Sequence, residues 1–187
     1  MRIVAGDFGG RRLNAVPGMA TRPTTDKVKE ALFNIIGPYF DGGESLDLYA
    51  GSGGLSIEGV SRGIKKATLV DRQYQAIKTI KNNIEVTKHP EQFDILKMDA
   101  HKALNLLSKQ NKRFDLVYLD PPYAKQQIVK DMEEMIKLNL LNNEALIVAE
   151  TDQNADVPEN ISSFRFIKQQ TYGITVLHFY RYESEEE

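Results

Sequence analysis

The stretch of the chain best suited to chemistry is FDLVYLDPPY, residues 114–123. An apolar run typical of a buried strand ends there in Asp120, Pro121, Pro122 and Tyr123. Proline fixes φ and lacks an N–H group, so the two prolines form a stiff corner whose carbonyl oxygens have no partner within the segment. This corner can therefore present hydrogen-bond acceptors at a fixed geometry beside a flat aromatic ring.

Those acceptors match the exocyclic amine of a nucleobase. The amine is a poor nucleophile because its lone pair is delocalised into the ring. If the Asp120 carboxylate and the Pro121 carbonyl accept its two hydrogens, positioning and electrostatics let the nitrogen attack an activated methyl group without a metal. Stacking on Tyr123 contributes roughly 1–3 kcal/mol per base, which offsets much of the cost of unstacking a nucleotide. The catalytic residues predicted here are Asp120, Pro121, Pro122 and Tyr123.

A glycine-rich loop, LYAGSGG at residues 48–54, follows an earlier apolar strand. Glycine lets the backbone turn tightly and approach a ligand, and the helix that follows offers free N–H groups. A dinucleotide fingerprint requires a third glycine where this chain has Ser56, so the loop favours S-adenosylmethionine. We predict that Asp47 lies near the amino group of the methionine part. The loop residues expected to bind it are Ala50, Gly51, Ser52 and Gly53.

Two more acids stand where later strands should end. Ligands bind at the carboxyl ends of the strands in open α/β sheets, so Asp71 is expected to bind the ribose hydroxyls. Asp99, with Ala100, is expected to reach the adenine amino group, and Asp120 closes the cofactor site. An acid in such a place can instead cap a helix.

The elements that must position these residues alternate between strand and helix. Strands are predicted at 46–49, 67–70, 94–98, 114–119 and 145–149, and helices at 25–36, 55–61, 73–88, 100–108 and 126–138. This alternation predicts a parallel sheet with helices on both faces. Residues 164–181 contain two β-rich runs around Tyr172 and Gly173, which predict an antiparallel hairpin at the sheet edge, and residues 2–16 predict a small N-terminal hairpin.

Composition narrows the class of protein. The chain has 187 residues, 41% hydrophobic and 27% charged, with a formal net charge of -2. It has no cysteine, and its three histidines lack metal-ligand spacing, so neither a disulfide nor a metal is expected. No apolar run approaches the roughly 20 residues of a membrane span, and no signal peptide precedes the first hairpin. We expect a cytoplasmic protein with no membrane partner.

Four segments together resemble a known family: LDLYAGSGGLSIEGVSRG, LDPPY, MRIVAGDFGGRRL and RPTTDKVKEALFNII. They are similar to the bacterial 16S rRNA guanine-N2 methyltransferases called RsmD. The family usually has GALGLEA after the loop, where this chain has GLSIEG at residues 54–59. The resemblance implies a class I, Rossmann-like fold of seven strands, the last antiparallel, and S-adenosylmethionine as donor. It implies as acceptor N2 of one guanine of 16S rRNA, within the small subunit or an assembly intermediate.

The resemblance also implies roles for residues near the N terminus. Arg22, Pro23 and Thr24 should close over the cofactor. Arg11 and Arg12, with Arg2 and Tyr123, should contact RNA, in part through phosphate. The expected organisation is a hairpin extension at residues 1–20, a methyltransferase domain at 21–182, and a disordered acidic tail at 183–187.

Other functions remain open at this point. DPPY also occurs in DNA adenine and cytosine amino-methyltransferases, so a DNA or other RNA substrate is the main alternative. Protein-glutamine methyltransferases typically carry NPPY, and Asp120 argues against that substrate. A nicotinamide oxidoreductase would need the third glycine, and a non-catalytic nucleic-acid-binding module would bind the cofactor without turnover.

Overall fold

The computed structural model describes residues 1–18, 25–122 and 126–184. Within them lie seven strands and five α-helices. The strands are β1 (Glu44–Asp47), β2 (Lys66–Asp71), β3 (Phe93–Lys97), β4 (Phe114–Leu119), β5 (Leu141–Asp152), β6 (Phe164–Tyr172) and β7 (Thr175–Tyr182). The helices are α1 (Asp26–Ile36), α2 (Gly54–Ser61), α3 (Tyr74–Thr87), α4 (Ala100–Lys109) and α5 (Ile128–Lys137).

The strands form one sheet in the order β3-β2-β1-β4-β5-β7-β6. Strands β1 to β5 run parallel, and β7 pairs antiparallel with both β5 and β6. The predicted parallel sheet with an antiparallel edge hairpin is therefore confirmed, with the turn at Gly173 in a left-handed conformation, φ 61°. The order places β1 and β4, which carry the two predicted site motifs, next to each other.

Two hydrophobic cores lie on opposite faces of the sheet. Helices α1, α2 and α3 cover one face, where Ile77, Ile80 and Ile84 of α3 point inward as their spacing predicts. Helices α4 and α5 cover the other face through leucine and methionine side chains. Side chains alternate between faces along each strand, so Leu116 and Tyr118 of β4 belong to the first core and Val117 and Leu119 to the second.

Helix α1 begins after Thr25, whose side chain accepts the Val28 N–H, and ends at Gly37. On its inward face, Lys29 is buried with Leu32 and Phe33. The Lys29 Nζ donates to the Arg2 carbonyl at 2.6 Å and lies 3.3 Å from the Glu58 carboxylate. The sequence gives no sign of these partners, since both lie far from α1 along the chain.

Lys29, Glu58 and Arg62 form what we call the buried ion network. Glu58 is fully buried, and its carboxylate accepts the backbone N–H groups of Val4 and Ala5 and Arg62 Nε at 2.8 Å. Each Glu58 oxygen therefore has one backbone N–H and one cationic side chain beside it. The network ties the N-terminal residues to helices α1 and α2.

The N-terminal segment forms a hairpin-like turn with a single antiparallel bridge, Arg2 to Arg12, rather than two strands. Its apolar side chains Ile3, Phe8 and Leu13 are buried in the first core. A Cβ atom on Gly6 would lie 1.9 Å from the Ser61 carbonyl oxygen, so the segment passes directly over the end of α2. The turn packs as part of the core rather than standing apart from it.

The first two residues of the predicted acidic tail, Glu183 and Ser184, are hydrogen-bonded to the rest of the protein. Glu183 accepts Arg165 Nε at 2.7 Å, and the Ser184 N–H donates to Asn143 at 3.0 Å. Residues 185–187 lie outside the described residues. Across the described ranges, no helix is long and apolar enough to cross a membrane.

Candidate active site

Three acids lie at the carboxyl ends of adjacent strands on one face of the sheet. Asp47 ends β1, Asp120 follows β4, and Glu150 lies near the end of β5. Pairing of Asp47 with Tyr118 and of Leu119 with Ala149 sets the three strands in register. Because their neighbours alternate between the two cores, all three acids belong to the face covered by α2. We call them the acidic cluster.

Asp47 lies beneath the glycine loop with 1% of its surface exposed. Its Oδ2 accepts the Ser56 hydroxyl of α2 at 2.8 Å. Burial raises the pKa of Asp47 to about 7, with smaller upward contributions from Asp71 and Glu150, while the Ser56 bond opposes the rise. A cation bound near Asp47 would stabilise the ionised form of this carboxyl group.

Asp120 is partly exposed at the end of β4. Burial of its carboxyl raises the pKa of Asp120 well above its usual range, and the charges of Glu150 and Asp47 and a hydrogen bond with Glu150 raise it further. Two residues before it, the Tyr118 carbonyl accepts the Leu48 N–H at 3.3 Å. The structure therefore brings Asp120 beside the strand that leads into the glycine loop, as predicted from the strand order.

Sequence reasoning missed Glu150. The signal was present, because ALIVAE is an apolar run that ends in an acid, as in the strands that end at Asp47, Asp71 and Asp120. The Glu150 side chain is 4% exposed.

The glycine loop has the backbone shape that its composition predicts. Gly51 and Gly53 have φ values of 58° and 82°, in the left-handed region that favours glycine. A Cβ atom on Gly51 would meet nothing within 4 Å, whereas one on Gly53 would lie 3.1 Å from Leu69. The loop therefore has open space beside Gly51 and close packing at Gly53. The Ala50 N–H holds the loop to β2 by donating to the Val70 carbonyl at 2.9 Å. This open cradle fits a small ligand.

Asp71 stands at the end of β2 and shapes the same loop. Its two oxygens accept the Gly51 and Gln73 N–H groups, each at 2.9 Å. The carboxylate is partly exposed. Each oxygen keeps a second lone pair, so the predicted bonds to ribose hydroxyls are compatible with this geometry.

Asp99 caps α4. Its Oδ1 accepts the N–H groups of His101 and Lys102 at 2.9 and 3.3 Å. The residue is exposed at the far side of β2 from the loop, followed by the half-buried Ala100. Helix capping thus accounts for Asp99 by itself, and the adenine contact stays a prediction.

Asn83 of α3 is a second residue that sequence reasoning missed. Its Nδ2 donates to the carbonyls of Ser52 and Asn14, at 2.8 and 3.0 Å, and its Oδ1 accepts the Asn14 N–H at 2.8 Å. It thereby joins the glycine loop to the N-terminal segment. The available signal was an amide on the inward face of a helix otherwise lined by isoleucine.

The three N-terminal arginines differ in their surroundings. Arg11 is half-buried, and its guanidinium donates to the Val86 and Thr87 carbonyls at the end of α3, at 3.0 and 3.1 Å. Arg12 is exposed, and Arg2 has a side chain that is 63% exposed, 3.9 Å from Asp26. Arg11 therefore holds a helix end, while Arg12 and Arg2 face outward.

Part of the predicted site lies outside the described residues: Arg22, Pro23, Thr24 and Tyr123. At the corner itself, Pro121 is buried and Pro122 is exposed. Among residues 1–18, 25–122 and 126–184, no group of three or more His, Asp or Glu side chains is placed to hold a metal ion.

Comparison with known proteins assigns the chain to a family. The family model described as conserved hypothetical protein 95 matches residues 1–181. A putative rRNA methyltransferase YlbH of Bacillus subtilis is 44% identical, over 97% of this chain and 98% of that protein. The ribosomal RNA small subunit methyltransferase D of Haemophilus influenzae is 34% identical, over 97% of this chain and 93% of that protein.

Solved structures support the same assignment. A conserved hypothetical protein of Streptococcus pyogenes is 45% identical, with a TM-score of 0.80 over 86% of this chain and 98% of that chain. The putative methyltransferase yhhF of Escherichia coli is 28% identical, with a TM-score of 0.82 over 99% of both chains. The predicted class I, Rossmann-like methyltransferase fold is confirmed, and the chain belongs to the conserved hypothetical protein 95 family, the RsmD family.

Proposed function

We propose that the protein transfers a methyl group from S-adenosylmethionine to the exocyclic N2 of a guanine in 16S rRNA. The observation that carries the proposal is the partly exposed Asp120 carboxylate, held at the end of β4 beside the strand that feeds the glycine loop. An amine acceptor and a small-ligand cradle thus lie at adjacent strand ends. Relatives named as small-subunit rRNA methyltransferases support the substrate class.

The cradle suits the donor in several ways. Gly51 has open space where a side chain would be, and Asp71 offers partly exposed oxygens next to it. The pKa of the buried Asp47, raised to about 7, would fall beside the ammonium of the methionine part, so cation binding there is favourable. We propose Ala50 and Ser52 as further loop contacts and Asp99 with Ala100 for the adenine.

S-adenosylmethionine, when bound, supplies a methyl group on a positively charged sulfur. Asp120 accepts one hydrogen of the guanine N2 amine, and we propose that the Pro121 carbonyl accepts the other. These bonds draw the amine nitrogen toward a tetrahedral shape and fix its lone pair in one direction. Positioning and electrostatic complementarity of this kind supply most of the acceleration.

Substrate contacts beyond the amine are proposed from the sequence. Tyr123 would stack on the guanine, and Arg22 and Thr24 would close over the donor. The exposed Arg2 and Arg12 would meet RNA phosphate. We propose that recognition depends on the shape of folded RNA in the small subunit or an assembly intermediate.

The test is methyl transfer from isotopically labelled S-adenosylmethionine to unmodified small ribosomal subunits, with free 16S rRNA and duplex DNA in parallel. Nucleoside mass spectrometry then identifies the product. Label in N2-methylguanosine from the subunits is the expected result. Label only in DNA, or in N6-methyladenosine, would overturn the substrate assignment, and cofactor binding without transfer to any of them would overturn the enzymatic function.

A further inference from the structure

Glu150 lies where it can act on the amine-binding carboxylate. Strands β4 and β5 are adjacent and parallel, with Leu119 opposite Ala149, so Asp120 and Glu150 are the next opposed pair. Adjacent strands are about 4.8 Å apart. Both side chains point to the same face, and Asp120 is the more exposed of the two. Glu150 thus stands behind Asp120 as seen from the cradle.

The register places the two carboxyl groups side by side, and a hydrogen bond between them contributes to the raised pKa of Asp120. Two ionised carboxylates have no proton to donate, so a bond between them requires one shared proton. The pair then titrates as a unit, and it holds one negative charge over the range in which the proton is retained. Burial favours this state, because a single charge costs less than two in a region with little water.

We propose that Glu150 is a positioning residue for methyl transfer, which donates the shared proton to one Asp120 oxygen and leaves the other oxygen fixed toward the amine. This inference rests on the function proposed above. Without Glu150, the Asp120 carboxylate could rotate about its terminal bond and would present the accepting oxygen in more than one direction. Misplacement of a reacting group by about 1 Å can cost about 100-fold in rate.

The charged groups around the pair are few among the described residues. The charge of Asp47, at the end of β1, raises the pKa of Asp120, and the charge of Glu150 raises the pKa of Asp47. The buried charged residues of the helices on this face are Lys29, Glu58 and Arg62, and both cations are paired with Glu58 in the buried ion network. The ionisation that governs the Asp120 geometry is therefore that of the Asp120 and Glu150 pair, with Asp47 as its nearest acidic neighbour.

The test compares Glu150→Gln with Glu150→Ala, using S-adenosylmethionine and unmodified small ribosomal subunits. Glutamine keeps a donor for Asp120 but cannot lose a proton, whereas alanine removes the donor. We expect Glu150→Ala to lower kcat by up to about 100-fold and Glu150→Gln to retain most of it, with the KM for S-adenosylmethionine unchanged in both. We also expect wild-type kcat to decline at alkaline pH as the shared proton is lost, and this decline to be absent in Glu150→Gln.

Two results would overturn the inference while leaving the proposed function intact. One is an equal loss of kcat in both variants, and the other is an identical pH profile for wild type and Glu150→Gln. A merely structural role would lower the unfolding midpoint of Glu150→Ala without changing the pH profile. Should the alanine variant fail to fold, the glutamine profile decides alone. Absence of N2-methylguanosine with the wild-type protein would instead overturn the proposed function, and this inference with it.

Discussion

The buried ion network and the acidic cluster lie on the same face of the sheet, yet their charges are arranged in opposite ways. In the network, burial lowers the pKa of Lys29, and the charges of Glu58 and Asp26 oppose that shift. In the cluster, burial raises the pKa values of Asp47 and Asp120, and the charges of the acids around them raise those pKa values further. Opposite charges thus offset the burial of Lys29, whereas the described charges around Asp47 and Asp120 repel.

This difference separates a structural role from a functional one. A compensated buried charge supports the fold, because its removal leaves its partners unpaired. Acids that repel one another weaken the fold and are stabilised by a donor or cation from a ligand. The comparison therefore predicts that substitutions in the network change stability, and that substitutions in the cluster change activity.

The largest effect on stability is expected from Glu58→Gln. Lys29 and Arg62 would keep their buried charges without the acid that pairs them, and loss of one partner of a buried pair costs about 3–5 kcal/mol. Urea unfolding at neutral pH measures the change. Glu91→Gln is the matched control, since the exposed Glu91 pairs with an exposed His89 and its loss should leave the unfolding midpoint in place. A loss of activity in Glu58→Gln without a loss of stability would break the comparison.

Asp120→Ala should give the converse result. Removal of one preorganised polar group that acts on the transition state costs about 100- to 1000-fold in kcat. The dissociation constant for S-adenosylmethionine and the unfolding midpoint should stay near wild-type values, because relief of the repulsion with Asp47 offsets the lost bond to Glu150. Single-turnover transfer and isothermal calorimetry measure the two quantities. Unchanged turnover would remove Asp120 from the chemistry.

Asp71→Ala should weaken cofactor binding rather than the chemical step. Hydrogen bonds to charged groups contribute about 1.5–3 kcal/mol each, so we expect the dissociation constant to rise roughly 10- to 100-fold. Asp71→Asn keeps an acceptor for the Gly51 N–H. Comparison with Asp71→Ala therefore distinguishes a lost ribose contact from a change in the shape of the loop. Asp94→Asn on the neighbouring strand is the control. An unaltered dissociation constant in Asp71→Ala would show that the ribose lies elsewhere.

The smallest effects are expected at the N-terminal arginines. Arg12→Ala should raise the KM for RNA and lower the dependence of log K on log salt by about one unit of slope, as for one lost phosphate contact. Arg11→Ala should lower stability instead, because Arg11 donates to two carbonyls at the end of α3. Salt titrations of RNA binding and thermal unfolding distinguish the two. Equal effects of both variants on RNA binding, with no change in unfolding, would contradict this division.

Much of the fold follows from local sequence patterns. The strand predicted at 114–119 is β4 itself, because its apolar run is long and bounded by polar residues. Strand β5 was predicted only at 145–149 but begins at Leu141, since its polar start pairs with β4 across a shift in register. Such pairing depends on the neighbouring strand, which no local pattern describes.

The candidate site was predictable where one residue type at a strand end is sufficient. Asp47, Asp71 and Asp120 were found in this way, and the same rule applied to ALIVAE would have found Glu150. Contacts between distant segments were not predictable. The contacts of Lys29 with Glu58 and of Arg11 with Val86 depend on how the N-terminal segment crosses the helices.

The most direct test of the comparison is the unfolding free energy of the cofactor-free protein between pH 5 and pH 8, for wild type and Asp47→Asn. The folded-state pKa of Asp47, about 7, lies above the value of 3.8 for an unperturbed aspartate, so the folded state binds more protons across this range. Stability should therefore fall as pH rises toward 7 in the wild type, and this fall should be smaller in Asp47→Asn. Parallel curves for the two proteins, or a wild-type stability that rises relative to Asp47→Asn, would contradict the account.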